Sequence, residues 1–209
     1  GRFEPNPHLR PETLVGVEGG FTVQRRGDAE FQMVGFHQRL SDGIVRTSVT
    51  GTDGVRRFRR VNQSVVKSTG IELLAIGTLG AATLSSDLTL QDVKGMDADG
   101  NEVELEYEPA ITGKLGVETP LGAGFRVSSD LRFVSGQSCE NPEVGGLQRL
   151  GMSGSADFTL RKIFQLIGAG WLSRVDASAS LRNVTDATVY DQCGLPQPGR
   201  TLQFQFRLR

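Results

Sequence analysis

Polar and apolar residues alternate with a period of two over most of this chain. The last residues show it plainly: Leu202, Phe204, Phe206 and Leu208 are interleaved with Gln203, Gln205, Arg207 and Arg209. An extended backbone sends successive side chains to opposite faces, so this segment reads as a strand with one apolar and one polar face. The same alternation sets Val175, Ala177, Ala179 and Leu181 against Asp176, Ser178, Ser180 and Arg182. It sets Phe125, Val127, Leu131 and Phe133 against Arg126, Ser128, Asp130 and Arg132. Further apolar sets are Ile111, Leu115 and Val117, then Leu84, Leu88 and Leu90, then Val15, Val17, Phe21 and Val23. The stretch from Phe31 to Phe36 is less regular, and a β-bulge there is expected to reset the phase. Helical spacing of apolar residues is scarce throughout.

These patterns predict an all-β chain of about nine strands, near 13–26, 30–46, 60–77, 82–95, 108–118, 123–136, 153–164, 173–184 and 200–209. Short connections are expected at Gly27–Asp28, Leu79–Ala81, Thr119–Gly122 and around Gly168–Gly170. Long polar ones are expected at 47–59, 96–107, 137–152 and 185–199. Strands of about ten residues, joined alternately by short turns and long loops, are the pattern of an antiparallel transmembrane β-barrel. In such a barrel the apolar face meets lipid and the polar face lines a lumen. Soluble sandwiches use strands nearer five or six residues.

Composition narrows the picture. Hydrophobic residues make up 37% of the 209, which suits strands that are apolar on one face only. The formal net charge of -1 argues against a nucleic-acid partner. His8 and His37 have no evident acid–base partner, and no nucleophile elbow, phosphate loop or zinc signature is present. No catalytic residue, metal or cofactor is therefore expected. Asp97-Ala98-Asp99-Gly100-Asn101 has the start of a calcium loop without its remainder, and reads as a turn.

A series of short motifs adds a resemblance. Asn6-Pro7-His8-Leu9-Arg10-Pro11-Glu12 is similar to an NPxLxPE segment, with Glu18 following on the next strand. Phe36 with Asp42-Gly43-Ile44 resembles F…DxI, and Val61-Asn62 with Gly70-Ile71-Glu72 resembles N…GxE. Pro109 stands where a proline begins a later strand. Asn183-Val184-Thr185-Asp186, Tyr190 and Gly194-Leu195-Pro196-Gln197-Pro198-Gly199-Arg200 resemble a closing NxxD…Y…GxPxPGR segment. In this order the motifs resemble the C-terminal β-barrel portion of TonB-dependent outer-membrane receptors.

The resemblance implies a barrel of about 22 strands, of which residues 1–209 would supply the C-terminal nine without the plug domain. An open sheet leaves unpaired edges, so the chain is expected to be part of a larger polypeptide or to pair with another chain. The implied activity is uptake of a large scarce nutrient across the outer membrane of a Gram-negative cell, most often a ferric siderophore. The implied partners are membrane lipid and lipopolysaccharide, the plug, TonB acting through the plug, and the small-molecule cargo. Two rivals remain: a structural or passive barrel subunit assembled from several chains, and a secreted β-sandwich that binds carbohydrate. An enzyme has no signature in its favour.

On this frame the long loops lie outside the cell. Arg56, Arg57, Arg59 and Arg60 then fall in an external loop, where they either capture an anionic ligand or lipopolysaccharide phosphates, or form a solvated loop. Cys139 and Cys193 fall in the last two external loops and are expected to form a disulfide. Glu72, Asp87, Lys114, Arg132, Asp157, Arg161 and Arg182 are expected on the inward face, paired with one another or against a plug. Phe125, Phe133, Phe158, Trp171 and Tyr190 are candidates for an interfacial aromatic girdle.

Overall fold

The computed structural model describes residues 3–25, 28–50, 54–97, 99–141, 145–166 and 173–209, with the side chains of Arg56, Gln63, Ser64, Asp191 and Gln192 outside the description. Nine long strands form one antiparallel sheet: β1 (Thr13–Arg25), β2 (Ala29–Thr50), β3 (Arg56–Leu79), β4 (Ala82–Met96), β5 (Ile111–Gly122), β6 (Phe125–Val134), β7 (Ser153–Gln165), β8 (Arg174–Arg182) and β9 (Thr201–Leu208). Their order in the sheet is their order in the chain. Each interior strand thus pairs with the one before and the one after it, as an antiparallel meander does. Gly80, at φ 61°, makes the turn between β3 and β4, and Ala123 and Gly124, at φ 50° and 76°, make the turn between β5 and β6. Pro120 and Leu121 belong to β5 rather than to that turn, with a register shift between Pro120 and Gly122. The connections predicted at Gly27 and Gly168–Gly170, and the girdle candidate Trp171, lie outside the described residues.

The largest departure from the sequence reading is at 47–59. The β2–β3 ladder continues to Thr50 opposite Arg56, so most of the expected loop is strand. β1 reaches β2 only as far as Thr13 opposite Ser41, and β4 reaches β3 only as far as Met96 opposite Val65. Beyond those points β2 and β3 run on as a two-stranded ribbon. The residues Phe3–Glu4 pair in parallel with Phe58 and Arg59 on its free side.

Register carries the alternation from strand to strand. Phe21, Met33, Leu73, Leu88, Gly113 and Phe133 are successive neighbours in one row of the apolar face. Asp87, Lys114, Arg132 and Ser155 form a row of the opposite, polar face. The expected bulge near Phe31–Phe36 is absent, because pairing on both sides of β2 is unbroken through that segment. The phase only looks broken, since Val34 and Phe36 are apolar residues on the polar face. Phe36 is there for a reason. Its ring closes over Gly70 of β3, where a Cβ would stand 2.6 Å from the ring and 2.5 Å from the carbonyl oxygen of Leu90.

The described strands form a single layer with no apolar core against a second one. Among the described residues Cys139 is the one buried hydrophobic side chain, while Val17, Phe204 and Phe206 are each more than half exposed. β1 pairs with β2 alone and β9 with β8 alone, so the sheet is open at both edges.

The Gly70 contact gives a direct test. Gly70→Val should lower stability by about 1–3 kcal/mol through overpacking against backbone as well as ring. The midpoint of thermal unfolding should fall accordingly; an unchanged midpoint would refute the close approach.

Candidate ligand-binding mouth

The connections at one end of the sheet are long and knitted together. The disulfide expected from sequence is present, joining Cys139 and Cys193 with Cα atoms 5.9 Å apart. It ties the β6–β7 connection, which folds into a hairpin of Gln137–Glu140 and Leu147–Leu150, to the β8–β9 connection. A third connection, between β4 and β5, is sewn to the same point by Tyr107. The Tyr107 amide donates to the Ser138 carbonyl at 2.8 Å, and its hydroxyl accepts the Cys193 amide at 3.0 Å. Ser138 donates its hydroxyl to Glu104, and the Glu140 amide donates to Glu106 at 3.1 Å. Nothing in the sequence pattern singled out Tyr107, Glu104 or Glu106, because their partners lie more than thirty residues away.

Beneath this knot is a cleft of about 330 Å³ bordered by Tyr107, Thr112, Arg132, Gln137, Tyr190 and Gln197. Its lining mixes hydroxyl, amide and aromatic groups with one guanidinium. Tyr190, expected in an interfacial girdle, belongs to this cleft instead. The Lys162 ammonium lies 3.8 Å from the Phe125 ring centroid, on the apolar face near the turns. Of the charges expected to pair on the polar face, two pair with each other and Lys114 finds a partner outside that set. Arg132 bonds Asp157 at 2.9 Å and Lys114 meets Asp130 at 3.2 Å, with Arg126 and Glu118 2.7 Å apart further down.

The motif residues turn out to be fasteners. Asn183, at φ 48°, donates its amide to Asp157 and its side chain to the Ala187 carbonyl, while its side-chain oxygen accepts the Ala187 amide. Asp186 accepts the Arg200 amide at 2.7 Å, which closes the last loop onto the start of β9. At the far side of the mouth Asn62 holds the Arg10 and Asp42 carbonyls, Arg10 pairs with Asp42, and Glu12 accepts the Ile44 amide. Three separate sequence motifs thus form one hydrogen-bonded junction.

The arginine cluster lies on the β2–β3 ribbon, not in a loop. Strand alternation splits it: Arg60 shares a face with Phe58, whereas Arg57 and Arg59 belong to the other. Arg46 of β2 stands directly opposite Arg60, and its guanidinium is 4.7 Å from the Phe58 ring centroid. Phe3 packs on the same ring, with centroids 6.1 Å apart. Arg59 reaches Asn6 at 3.4 Å and has a buried Nε without a hydrogen-bond acceptor. The side chain of Arg56 lies outside the description.

Asp97 accepts the amides of Asp99 and Asn101 and the Asn101 side chain. These bonds, the Asn101 amide first, hold its carboxyl below the usual range. The carboxylate is thus spent on its own turn, and no group able to hold a metal ion exists among the described residues. Glu108, near the cleft rim, is shifted upward by burial.

Comparison with known proteins places this geometry. The model of the family described as TonB dependent receptor-like, beta-barrel matches residues 1–191. The chain therefore belongs to the TonB-dependent receptor β-barrel family, whose members are outer-membrane proteins of Gram-negative bacteria. No curated protein sequence matches it. Among solved structures it is similar to the siderophore receptor PirA from Acinetobacter baumannii, with 16% identity, a TM-score of 0.66, 96% of this chain covered and 32% of that one. It is similar to the apoprotein form of the FrpB iron transporter from Neisseria meningitidis, at 15% identity and TM-score 0.70, covering 98% and 32% of the two chains. It is similar to the ferripyoverdine receptor of the outer membrane of Pseudomonas aeruginosa, at 17% identity and TM-score 0.67, covering 96% and 27%. The chain spans about a third of the length of these proteins.

The disulfide closes a 54-residue separation, for which the chain-entropy model gives about 4 kcal/mol. Cys139→Ser with Cys193→Ser should speed amide exchange across 137–150 and 190–196 and leave the β5–β8 ladders protected. Unchanged exchange in those loops would mean that Tyr107 and the carboxylates hold the knot without the bridge.

Proposed function

We propose that this chain forms barrel wall and external mouth of a TonB-dependent outer-membrane transporter that takes up a large, scarce nutrient, a ferric siderophore. The observation that carries this reading is the combination of a two-faced nine-strand sheet with a knitted mouth at one end, overlaid almost in full on siderophore and iron receptors. The apolar face then meets lipid and the polar face lines the lumen, with the long connections outside the cell. Further strands must pair with β1 and β9, because free ladder groups are not tolerated in hydrocarbon. A plug inside the lumen, reached by TonB from the periplasm, is the partner the polar wall would face.

In this arrangement the mouth cleft and the ribbon are the first surfaces a cargo meets. Arg56, Arg57, Arg59 and Arg60 on the ribbon would attract an anionic cargo, since guanidinium groups suit carboxylate and catecholate oxygens. The inner-wall ion pairs would hold the strands in register while leaving the lumen polar. No step of this reading calls for bond chemistry by the chain.

Uptake of radioiron complexed to catecholate, hydroxamate and hydroxycarboxylate siderophores, by cells making the full-length protein, tests the proposal. At least one complex should enter in an energy-dependent way. Replacing Arg56, Arg57, Arg59 and Arg60 together by alanine should weaken its binding about tenfold, as expected for lost charge-assisted contacts. Uptake of no complex would overturn the cargo assignment, and unchanged binding by the variant would overturn the arginine assignment.

A further inference from the structure

The wall beneath the disulfide knot is polar, and its charges cancel. Two rows of the polar face meet there. One runs through Thr112 of β5, Val134 of β6 and Ser153 of β7, and the next, nearer the turns, through Lys114, Arg132 and Ser155. Thr112, Arg132, Ser153 and Ser155 line the cleft of about 330 Å³ from this wall. Tyr107, Gln137 and Tyr190 line it from the three long connections, one residue from each.

The cations of the wall are already matched. Arg132 bonds Asp157 at 2.9 Å, and Lys114 meets Asp130 at 3.2 Å. Carboxylates stand above instead. Glu104 and Glu106 lie in the knot, and Glu108 lies between the lining residues Tyr107 and Pro109. A negative group entering the cleft would meet one guanidinium that is already paired, with like charges over it.

The neutral polar groups are the ones left over. Among the described residues, the hydroxyls of Thr112, Ser153, Ser155 and Tyr190 and the Gln137 side-chain amide have no hydrogen-bond partner. Five groups that can both donate and accept therefore border one small space. The Tyr107 hydroxyl accepts the Cys193 amide at 3.0 Å, which leaves its own proton to donate.

Two aromatic rings complete the lining. Tyr107 sits at φ 59°, a left-handed conformation that bulky residues avoid, and its bonds to Ser138 and Cys193 hold it there. A ring fixed in this way loses little further freedom on binding. Its apolar face suits the C–H face of a saturated ring whose edge carries hydroxyls. Ligand pockets run from roughly 300 Å³ upward, so the cleft suits one ring-sized group and not a whole large cargo.

We propose that the cleft binds a neutral, hydroxyl-rich ring, the glycosyl part of a cargo, through Thr112, Gln137, Ser153 and Ser155, with Tyr107 and Tyr190 against it. The proposal deepens the transport reading given above and rests on it for placing this wall at the mouth of a lumen. Recognition is then divided between two surfaces. The ribbon arginines meet the anionic part of the cargo, and the cleft meets an uncharged part.

The test is saturation-transfer NMR on the full-length protein, purified in a detergent without a sugar headgroup. The probes are the methyl glycosides of glucose, galactose and mannose, with methyl glucuronide as the anionic counterpart and glucosamine as the cationic one. At least one neutral hexoside should bind, and more tightly than the glucuronide. Thr112→Val with Ser155→Ala keeps the shape and removes two hydroxyls. It should weaken that hexoside about tenfold, the loss expected for two neutral hydrogen bonds. Ser155→Lys should raise glucuronide binding, a gain that misfolding does not produce. No binding of any neutral hexoside, tighter binding of the glucuronide by wild type, or unchanged affinity in the double variant would overturn the site. Tighter binding of glucosamine would overturn the neutral assignment in favour of a cationic guest. Hexoside binding without uptake of any ferric complex would overturn the siderophore cargo and leave the ring site standing. Uptake of a ferric complex without hexoside binding would do the reverse.

Discussion

Everything in this structure depends on backbone ladders that run unbroken from one strand to the next. The sheet is a single layer with almost nothing buried between layers, so side-chain packing against a core does not hold it together. Each interior strand has its peptide groups paired on both sides, and register is therefore the quantity that must be kept. A slip of one residue would turn every apolar side chain to the polar face. The ion pairs Lys114–Asp130, Arg132–Asp157 and Arg126–Glu118 cross between strands on the polar face, and each exists in one register only. They are largely exposed pairs, so they add little stability. Their effect is to make other registers worse.

Much of the fold was legible because a period of two is a local signal. β8 and β9, where apolar and polar residues alternate cleanly, came out within two residues of their true bounds. The signal failed where an inward residue was apolar for a reason lying in another strand. Phe36 faces the polar side because Gly70 leaves a space for its ring, and no reading of β2 alone contains that information. The ribbon was missed because Arg56–Arg60 and the residues opposite carry too much charge and too little alternation to read as strand. What makes them strand is the partner strand across the ladder, together with Phe3 packed against Phe58.

The mouth was legible in its anchor points and not in its wiring. Cys139 and Cys193 could be paired once the loops were placed at the same end. The motif asparagines and aspartates could be seen but not understood. Asn62, Asp42, Arg10 and Glu12 are widely spaced in sequence and meet at one junction. Tyr107 carried no signal at all, yet two of its polar atoms reach either side of the disulfide.

That wiring bears on how the mouth would respond to anything that enters it. Three connections joined through Cys139, Cys193 and Tyr107 have fewer independent arrangements than three free loops. A guest that contacts one of them meets all three, and the entropy of ordering a flexible surface has already been given up during folding. Recognition at such a mouth is governed by fit to a standing shape. It discriminates by exclusion, and a change in one loop's sequence is read out as a displacement of the other two.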